Sequence, residues 1–135
     1  MLKVRKLKKS DWDFLPKWWE KYNQEPWLYT ENFKDILPNL GFLVHNEKQP
    51  IAAMWLGLTN SNSALPTAAI SDPKYRGEDR KDAISFLLSH VTNHAKELGF
   101  KYAFAWAQEG YMLDYYLKLN YEKFENPSYE LIKKL

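Results

Sequence analysis

The sequence predicts an α/β (α+β) fold: a mixed sheet of about seven strands, helices on both faces, and one parallel strand–helix–strand crossover. Three observations predict it. Residues 64–71, 80–98 and 101–107 read in turn as strand, amphipathic helix and buried strand. The run "IAAMWLGL" at 51–58 is apolar almost throughout, as a central strand covered on both faces would be. Further short strand patterns, separated by polar turns, precede and follow these elements.

Taken in order, residues 2–7 form a short candidate strand. Ser10 with Asp13 resembles a capping box, and a helix follows with Leu15, Trp18, Trp19 and Tyr22 on one face. Pro16 belongs in the first turn of that helix, where its missing N–H costs nothing. Residues 23–40 read as loop, with a short helix possible from Thr30 to Leu37. Strands at 42–45 and 51–58 join across "NEKQ", and "TNSNS" turns the chain into 64–71. In the long helix Ile84, Leu87, Leu88, Val91, Ala95 and Leu98 mark the buried stripe, and Gly99 supplies the stop. A crossover of this kind is expected to be right-handed. A second helix over "GYMLDYYLKL" precedes strands at 121–124 and 128–134, which turn at Asn126-Pro127.

The chain has 135 residues, enough for one domain spanning 1–135 and too few for two. No cysteine is present, which excludes disulfides, thiolate metal sites and a cysteine nucleophile. A net charge of +2 gives no reason to expect nucleic acid or a membrane as partner, and the basic start "KVRKLKK" reads as a solvated strand. Apolar runs are too short for a membrane span, so the expected location is cytoplasmic. Six Trp, nine Tyr and seven Phe are more rings than a core of this size needs, so some are available to line a cleft.

The stretch "DPKYRGEDRKDAISFLL" at 72–88 leads into the long helix. A helix start leaves N–H groups unpaired and its dipole favours negative charge. Gly77 permits an unusual backbone angle, and Arg76, Arg80 and Lys81 add positive charge. Glu78, Asp79 and Asp82 offset it and serve equally well as helix caps. From these residues alone, an anion site and a well-capped helix both stand open. Pro66, inside the preceding strand, cannot donate a ladder hydrogen bond and predicts an edge, a bulge or a gap there.

With the "YRG" loop, the helix ending "AKELGFK", the following apolar strand and "YYLKLNY", residues 64–124 resemble the Gcn5-related N-acetyltransferase (GNAT) superfamily. More narrowly, "SDPKYRGEDRKDAISFLL" and "DWDFLPKWWEKY" resemble small GNAT-like proteins encoded by bacteriophages. The resemblance implies a single GNAT-like acyltransferase domain with a mostly antiparallel sheet. It implies acetyl-CoA, or another acyl-CoA, as cosubstrate and an amine of unknown identity as acceptor. The family's Arg/Gln-x-x-Gly-x-Gly/Ala loop falls on Arg80, Ala83 and Ser85, with both glycine positions replaced by small residues. The implied cofactor-binding set is Ile70, Ser71, Arg76, Gly77, Arg80, Lys81, Ala83 and Ser85, with Thr67 to Ser71 along the pantetheine arm. A bulge in that strand is implied too.

The resemblance places the catalytic acid at Tyr116, in a Tyr-x-x-x-Asn120-Tyr121 version of the family's Tyr-x-x-x-Gly-Phe. Asn120 is suited to the left-handed backbone angle of the glycine it replaces. The family's strand glutamate is missing: Thr67 stands near its place, and threonine is no base at neutral pH. His45 and Glu109 are the remaining candidates for a base. Trp18, Trp19, Trp27, Tyr29, Trp55 and Trp106 could wall an acceptor cleft, although periodicity assigns at least half of them to the core. His90, His94 and Glu97 share a helix side but read as a polar boundary, with no metal assigned. The leading function is N-acyl transfer; the alternative is a non-catalytic GNAT-fold binding protein that has lost its base.

Overall fold

The computed structural model describes residues 1–22, 33–107, 110–133 and 135. The chain divides into two compact units, Met1–Ala105 and Trp106–Leu135. In the first unit the strands are β1 (Lys3–Lys6), β2 (Gly41–His45), β3 (Pro50–Gly57), β4 (Ser63–Ser71) and β5 (Tyr102–Ala103). They lie in the order β1-β2-β3-β4-β5, antiparallel except for the parallel β4–β5 pair. A 3-10 helix (Lys9–Asp13), α1 (Leu15–Tyr22), α2 (Phe33–Ile36) and the long α3 (Arg80–Glu97) complete this unit.

β3 sits at the centre, and Ile51 to Leu56 are all buried. Alternation sends its side chains to two cores. Ala53 and Trp55, with Leu43 and Ile70, meet Leu15, Trp18, Trp19 and Leu37 from the helical segments before β2. On the opposite face Phe42 of β2 meets the edges of the His90 and His94 rings of α3, at 5.3 and 5.0 Å. The buried stripe of α3 is Ala83, Leu87, Leu88, Val91 and Ala95. Leu98, expected in that stripe, is 49% exposed because it is the residue on which the helix ends. Gly99 follows at φ +96°, and the N–H groups of Gly99 and Phe100 donate to the carbonyls of Lys96 and Ala95 (3.0 and 3.2 Å). Two such bonds beyond a left-handed residue are the Schellman stop that the glycine foretold.

The entry to α1 differs from the expected Ser10–Asp13 box. Asp11 does the capping: it accepts the Lys8 N–H at 2.7 Å and both guanidinium nitrogens of Arg5 at 2.8 Å each. Burial works to raise the Asp11 pKa, but the Arg5 pair and the Lys8 N–H outweigh it and hold the carboxyl below its ordinary value. Arg5 thus belongs to a structural ion pair within the basic N-terminal run. Pro16 lies in the first turn of α1, as expected. Of the expected α1 face, Leu15, Trp18 and Trp19 are buried and the Tyr22 side chain lies outside the described residues.

β4 is the irregular strand. Ala53 pairs with Ile70 and Trp55 with Thr67, so Met54 faces two residues, Ala68 and Ala69. This bulge puts Ala68 at φ 59°, a left-handed angle that ordinarily goes to glycine. On its other edge β4 pairs with β5 only at Ser63 and Ala64. The ladder has a simple reason to stop. Asn62 and Ala64 accept the N–H groups of Tyr102 and Phe104, so alternate residues of β4 face β5 and the next is Pro66. Proline has no N–H to give, yet its pairing with Leu56 leaves the β3 side intact. The gap expected at Pro66 is therefore the end of β5 pairing, and the bulge lies two residues further on.

Three strand expectations need correction. Residues 101–107 form a strand only at Tyr102–Ala103, and Tyr102 is 67% exposed, so that stretch is not a buried strand. In the second unit α4 (Tyr111–Lys118) forms as expected, but the described residues of 121–135 contain no strand. Five strands are therefore found where about seven were expected. A strand needs a partner ladder and a face to bury, whereas Phe124, Tyr129, Leu131 and Ile132 are all exposed. α4 itself ends as predicted: Asn120 takes φ 67°, and Asn120 and Tyr121 donate to the carbonyls of Leu117 and Tyr116 (3.0 and 3.1 Å).

Two outcomes follow from this packing. A left-handed angle costs a residue with a Cβ about 1–2 kcal/mol, and a β-branched side chain more. Ala68→Val should therefore lower the urea-unfolding free energy by at least about 1 kcal/mol, and an unchanged midpoint would show that the bulge is not strained. His90 is held below its ordinary pKa, first by burial and then by His94. The unfolded chain then binds the proton more readily, so stability falls as pH drops below about 6.5. His90→Gln should lose less stability than the parent chain between pH 7.5 and 5.5; equal losses would remove His90 as the cause.

Candidate functional site

The loop between β4 and α3 is tied at several points to the β2–β3 turn. Asp72 donates its N–H to the Ile51 carbonyl at 2.8 Å and accepts the Gln49 amide at 3.2 Å. The Asn46 amide donates to the Tyr75 hydroxyl at 3.1 Å and to the Asp79 carboxylate at 3.3 Å. The Tyr75 hydroxyl in turn donates to Asp79, which lowers the Asp79 pKa and raises that of Tyr75. Asn46 also caps its own turn, accepting the N–H groups of Lys48 and Gln49 at 2.8 and 2.9 Å. One amide thus fixes both the turn and the loop beside it.

The expected cofactor residues take distinct places. The Ile70 side chain is 9% exposed and packs with the Trp55 core, and its backbone pairs with Ala53 of β3. Ser71 accepts the Arg80 guanidinium at 2.7 Å, so the first residue of α3 is moored to the last of β4. Arg80 Nε is buried with no hydrogen-bond partner among the described residues. Arg76 is exposed and its guanidinium donates to the Tyr75 carbonyl at 3.1 Å, and Lys81 is exposed. A Cβ on Gly77 would stand 2.1 Å from the Tyr75 hydroxyl, so only glycine lets that ring fold over the loop. The Ala83 side chain is fully buried and its N–H is committed to the Asp79 carbonyl at 2.8 Å. Ser85 is half-buried one residue from the Ile84 flank.

The backbone offers more than these side chains do. Arg80 donates its N–H to the Gly77 carbonyl at 3.2 Å. No hydrogen bond among the described residues uses the N–H groups of Gly77, Glu78, Lys81 or Asp82. Four free donors around a helix start are suited to an anion. The Asp79 carboxylate sits at the same helix start and is held in its ionised form by hydrogen bonds from Tyr75 and Asn46. Residues 65–71, unpaired toward β5, bring an open strand edge to this surface.

Among the candidates for chemistry, Tyr116 is 5% exposed and packs edge-on against Tyr121 at 4.9 Å. Burial, and to a lesser degree Tyr121, pushes its pKa well above the ordinary phenol value, so it stays protonated at neutral pH. His45 is half-buried with Nδ1 3.0 Å from the Asn46 carbonyl. Thr67 pairs with Trp55 at the start of the open edge. Glu109, Trp27 and Tyr29 lie outside the described residues. Trp18, Trp19 and Trp55 are core, while Trp106 is 46% exposed. His90 and His94 stack on each other with rings 11° apart, and among the described residues no group of side chains is arranged to hold a metal.

Sequence reasoning missed Asn46, Gln49, Tyr75 and Asp79 as a linked set, and Trp12, which stacks with Trp19 and Trp55. The strand-like flanks of "NEKQ" did signal a hairpin, and a β3–β4 pairing would have brought its end beside residue 72. Nothing local marks Asn46 as the link.

No protein-family model matches the chain, and no curated protein sequence matches it. Solved structures do. The ribosomal-protein-S18-alanine N-acetyltransferase from Escherichia coli superposes with a TM-score of 0.70 at 17% identity, covering 88% of this chain and 76% of that one. An acetyltransferase of Trypanosoma brucei gives 0.69 at 15% identity over 98% and 100% of the two chains. A GNAT-family acetyltransferase from Brucella melitensis, in complex with acetyl-CoA, gives 0.66 at 11% identity over 91% and 84%. At such identities likeness speaks of architecture: this chain has the fold of the GNAT-family acetyltransferases.

Proposed function

We propose that residues 1–135 act as one acyltransferase domain, moving an acyl group, ordinarily acetyl, from acyl-CoA to an amine of an unidentified acceptor. The observation that carries this reading is the open edge of β4 leading directly into four unpaired N–H groups at the start of α3. A long ligand with an amide-bearing arm and a pyrophosphate needs both features, in that order along the chain.

Acyl-CoA supplies the activated carbonyl and a thiol as leaving group. Along Thr67 to Ser71, the outward-facing backbone at Ala69 and Ser71 would pair with the pantetheine amides as an added strand does, with Ile70 anchoring the strand to the core. Gly77 and Lys81 would hold the pyrophosphate through their N–H groups, and Arg76, Arg80 and Lys81 would neutralise it. Ala83 and Ser85 contribute small side chains where bulk would separate α3 from its neighbours. Tyr116, kept protonated by burial, is the proton donor for the departing sulfur. The base is unassigned; a neutral His45 whose Nδ1–H faces the Asn46 carbonyl would present Nε2 as an acceptor. The reading takes the cytoplasm as the place of action.

One observation favours the alternative, a GNAT-fold binding protein without catalysis. Tyr75 lies over Gly77, and Asp79 adds a negative charge at the helix start where an anion would go. The two readings part on a single experiment. Coenzyme A at about 100 times its dissociation constant should add about 2.7 kcal/mol of stability. Arg80→Glu should weaken binding at least about tenfold, the worth of one charge-assisted hydrogen bond. No thermal shift at millimolar coenzyme A would overturn the cofactor claim. If binding holds, Tyr116→Phe should slow acyl transfer to an amine panel with affinity unchanged; equal rates would remove Tyr116 as the acid.

A further inference from the structure

A pocket of about 160 Å³ opens beside Trp55, with no residue of the β4–α3 loop in its lining. Its walls come from the β1-to-3-10 junction (Lys8, Lys9, Trp12), the α2-to-β2 segment (Lys34, Asn39) and Trp55 of β3. Lys34 Nζ stands 5.7 Å from the centre of the Trp12 ring, held by cation–π attraction. Trp12 lies 5.9 Å from Trp55, and Trp55 reaches its seat only because Gly41 has no side chain: a Cβ there would be 2.7 Å from its Nε1. Two indole rings and three lysines thus share one lining.

We propose that this pocket binds a ring-sized anion, and that it takes the carboxylate-bearing end of the acceptor. The naming of the acceptor rests on the transferase reading above; the anion site does not. Size sets the first constraint, since a cavity of about 150 Å³ holds one benzene ring. Charge sets the second. No carboxylate among the described residues pairs with Lys8, Lys9 or Lys34, whereas the nearby Asp11 is consumed by Arg5 and the Lys8 N–H. Three lysines with no ion-pair partner among the described residues, beside two indole rings, favour a flat ligand with negative charge and disfavour a bare cationic amine. Position sets the third. Trp55 is the ladder partner of Thr67, where the open edge of β4 begins, so a ligand resting on Trp55 is one strand away from that edge.

The test uses the full chain without coenzyme A, titrated with benzoate and with benzamide, which match in shape and differ in charge. The readout is the indole N–H signals of Trp12 and Trp55 in nitrogen-15 correlation spectra. Benzoate should bind at least about tenfold more tightly than benzamide, as a single charge-assisted hydrogen bond suffices to give. The exposed triple variant Lys8→Gln, Lys9→Gln, Lys34→Gln should bring benzoate down to the benzamide level, with Lys34→Gln alone giving part of the loss. Equal affinities, no benzoate binding, or an unchanged preference in the triple variant would each overturn the proposal. If benzoate binds this way and coenzyme A does not bind at all, the pocket stands and the transferase reading falls.

Discussion

β4 is paired along one edge and released along the other, and the candidate site depends on that asymmetry. Against β3 it keeps its ladder through Pro66, because the proline turns its missing N–H the other way. Toward β5 the same residue is where a further bond would be required, and pairing ends after Ala64. The bulge at Ala68 and Ala69 then adds twist to a strand already free of its neighbour. Proline and a strained alanine thus leave open, from residue 65 to 71, an edge that a regular sheet would have paired. The energetic cost is modest, a lost bond or two and one left-handed angle, and it is sustained by the dense packing of β3 between two cores.

The loop that follows is fixed by a different means. Its geometry rests on Asn46, whose amide serves the β2–β3 turn, Tyr75 and Asp79 together. An amide that accepts from the turn and donates to the loop makes the two one cooperative piece, with the Arg80–Ser71 bond fastening the helix start to the strand end. The electrostatics are mixed, with Arg76, Arg80 and Lys81 set against Glu78, Asp79 and Asp82. Backbone donors therefore matter more than net side-chain charge. They are what a loop with alanine at 83 and serine at 85 has to offer an anion.

Much of this was legible in the sequence where the cause is local. Gly99 and Asn120 ended their helices in left-handed turns because each meets a backbone need that few residues meet. The apolar run of β3 announced a central strand, and Pro66 announced a break in pairing. The misses have long-range causes. Asp11 caps the α1 region through Arg5, a residue of β1, so a local search for Ser-x-x-Asp chose Ser10 instead. Alternation after residue 120 suggested strands, but apolar letters make a strand only when a partner edge and a face are present. The Trp12–Trp19–Trp55 cluster joins three separate segments, and helical spacing could reveal only the Trp18 and Trp19 part of it.

The central claim is that one continuous backbone surface, from the open edge of β4 to the first turn of α3, receives coenzyme A. Amide chemical shifts of the nitrogen-15-labelled chain, followed through a coenzyme A titration, test it residue by residue. The account predicts that the largest changes fall on the N–H groups of Ala69, Ser71, Gly77, Glu78, Lys81 and Asp82, saturating together. Changes confined to other parts of the chain, or changes at the helix start with none along β4, would contradict it.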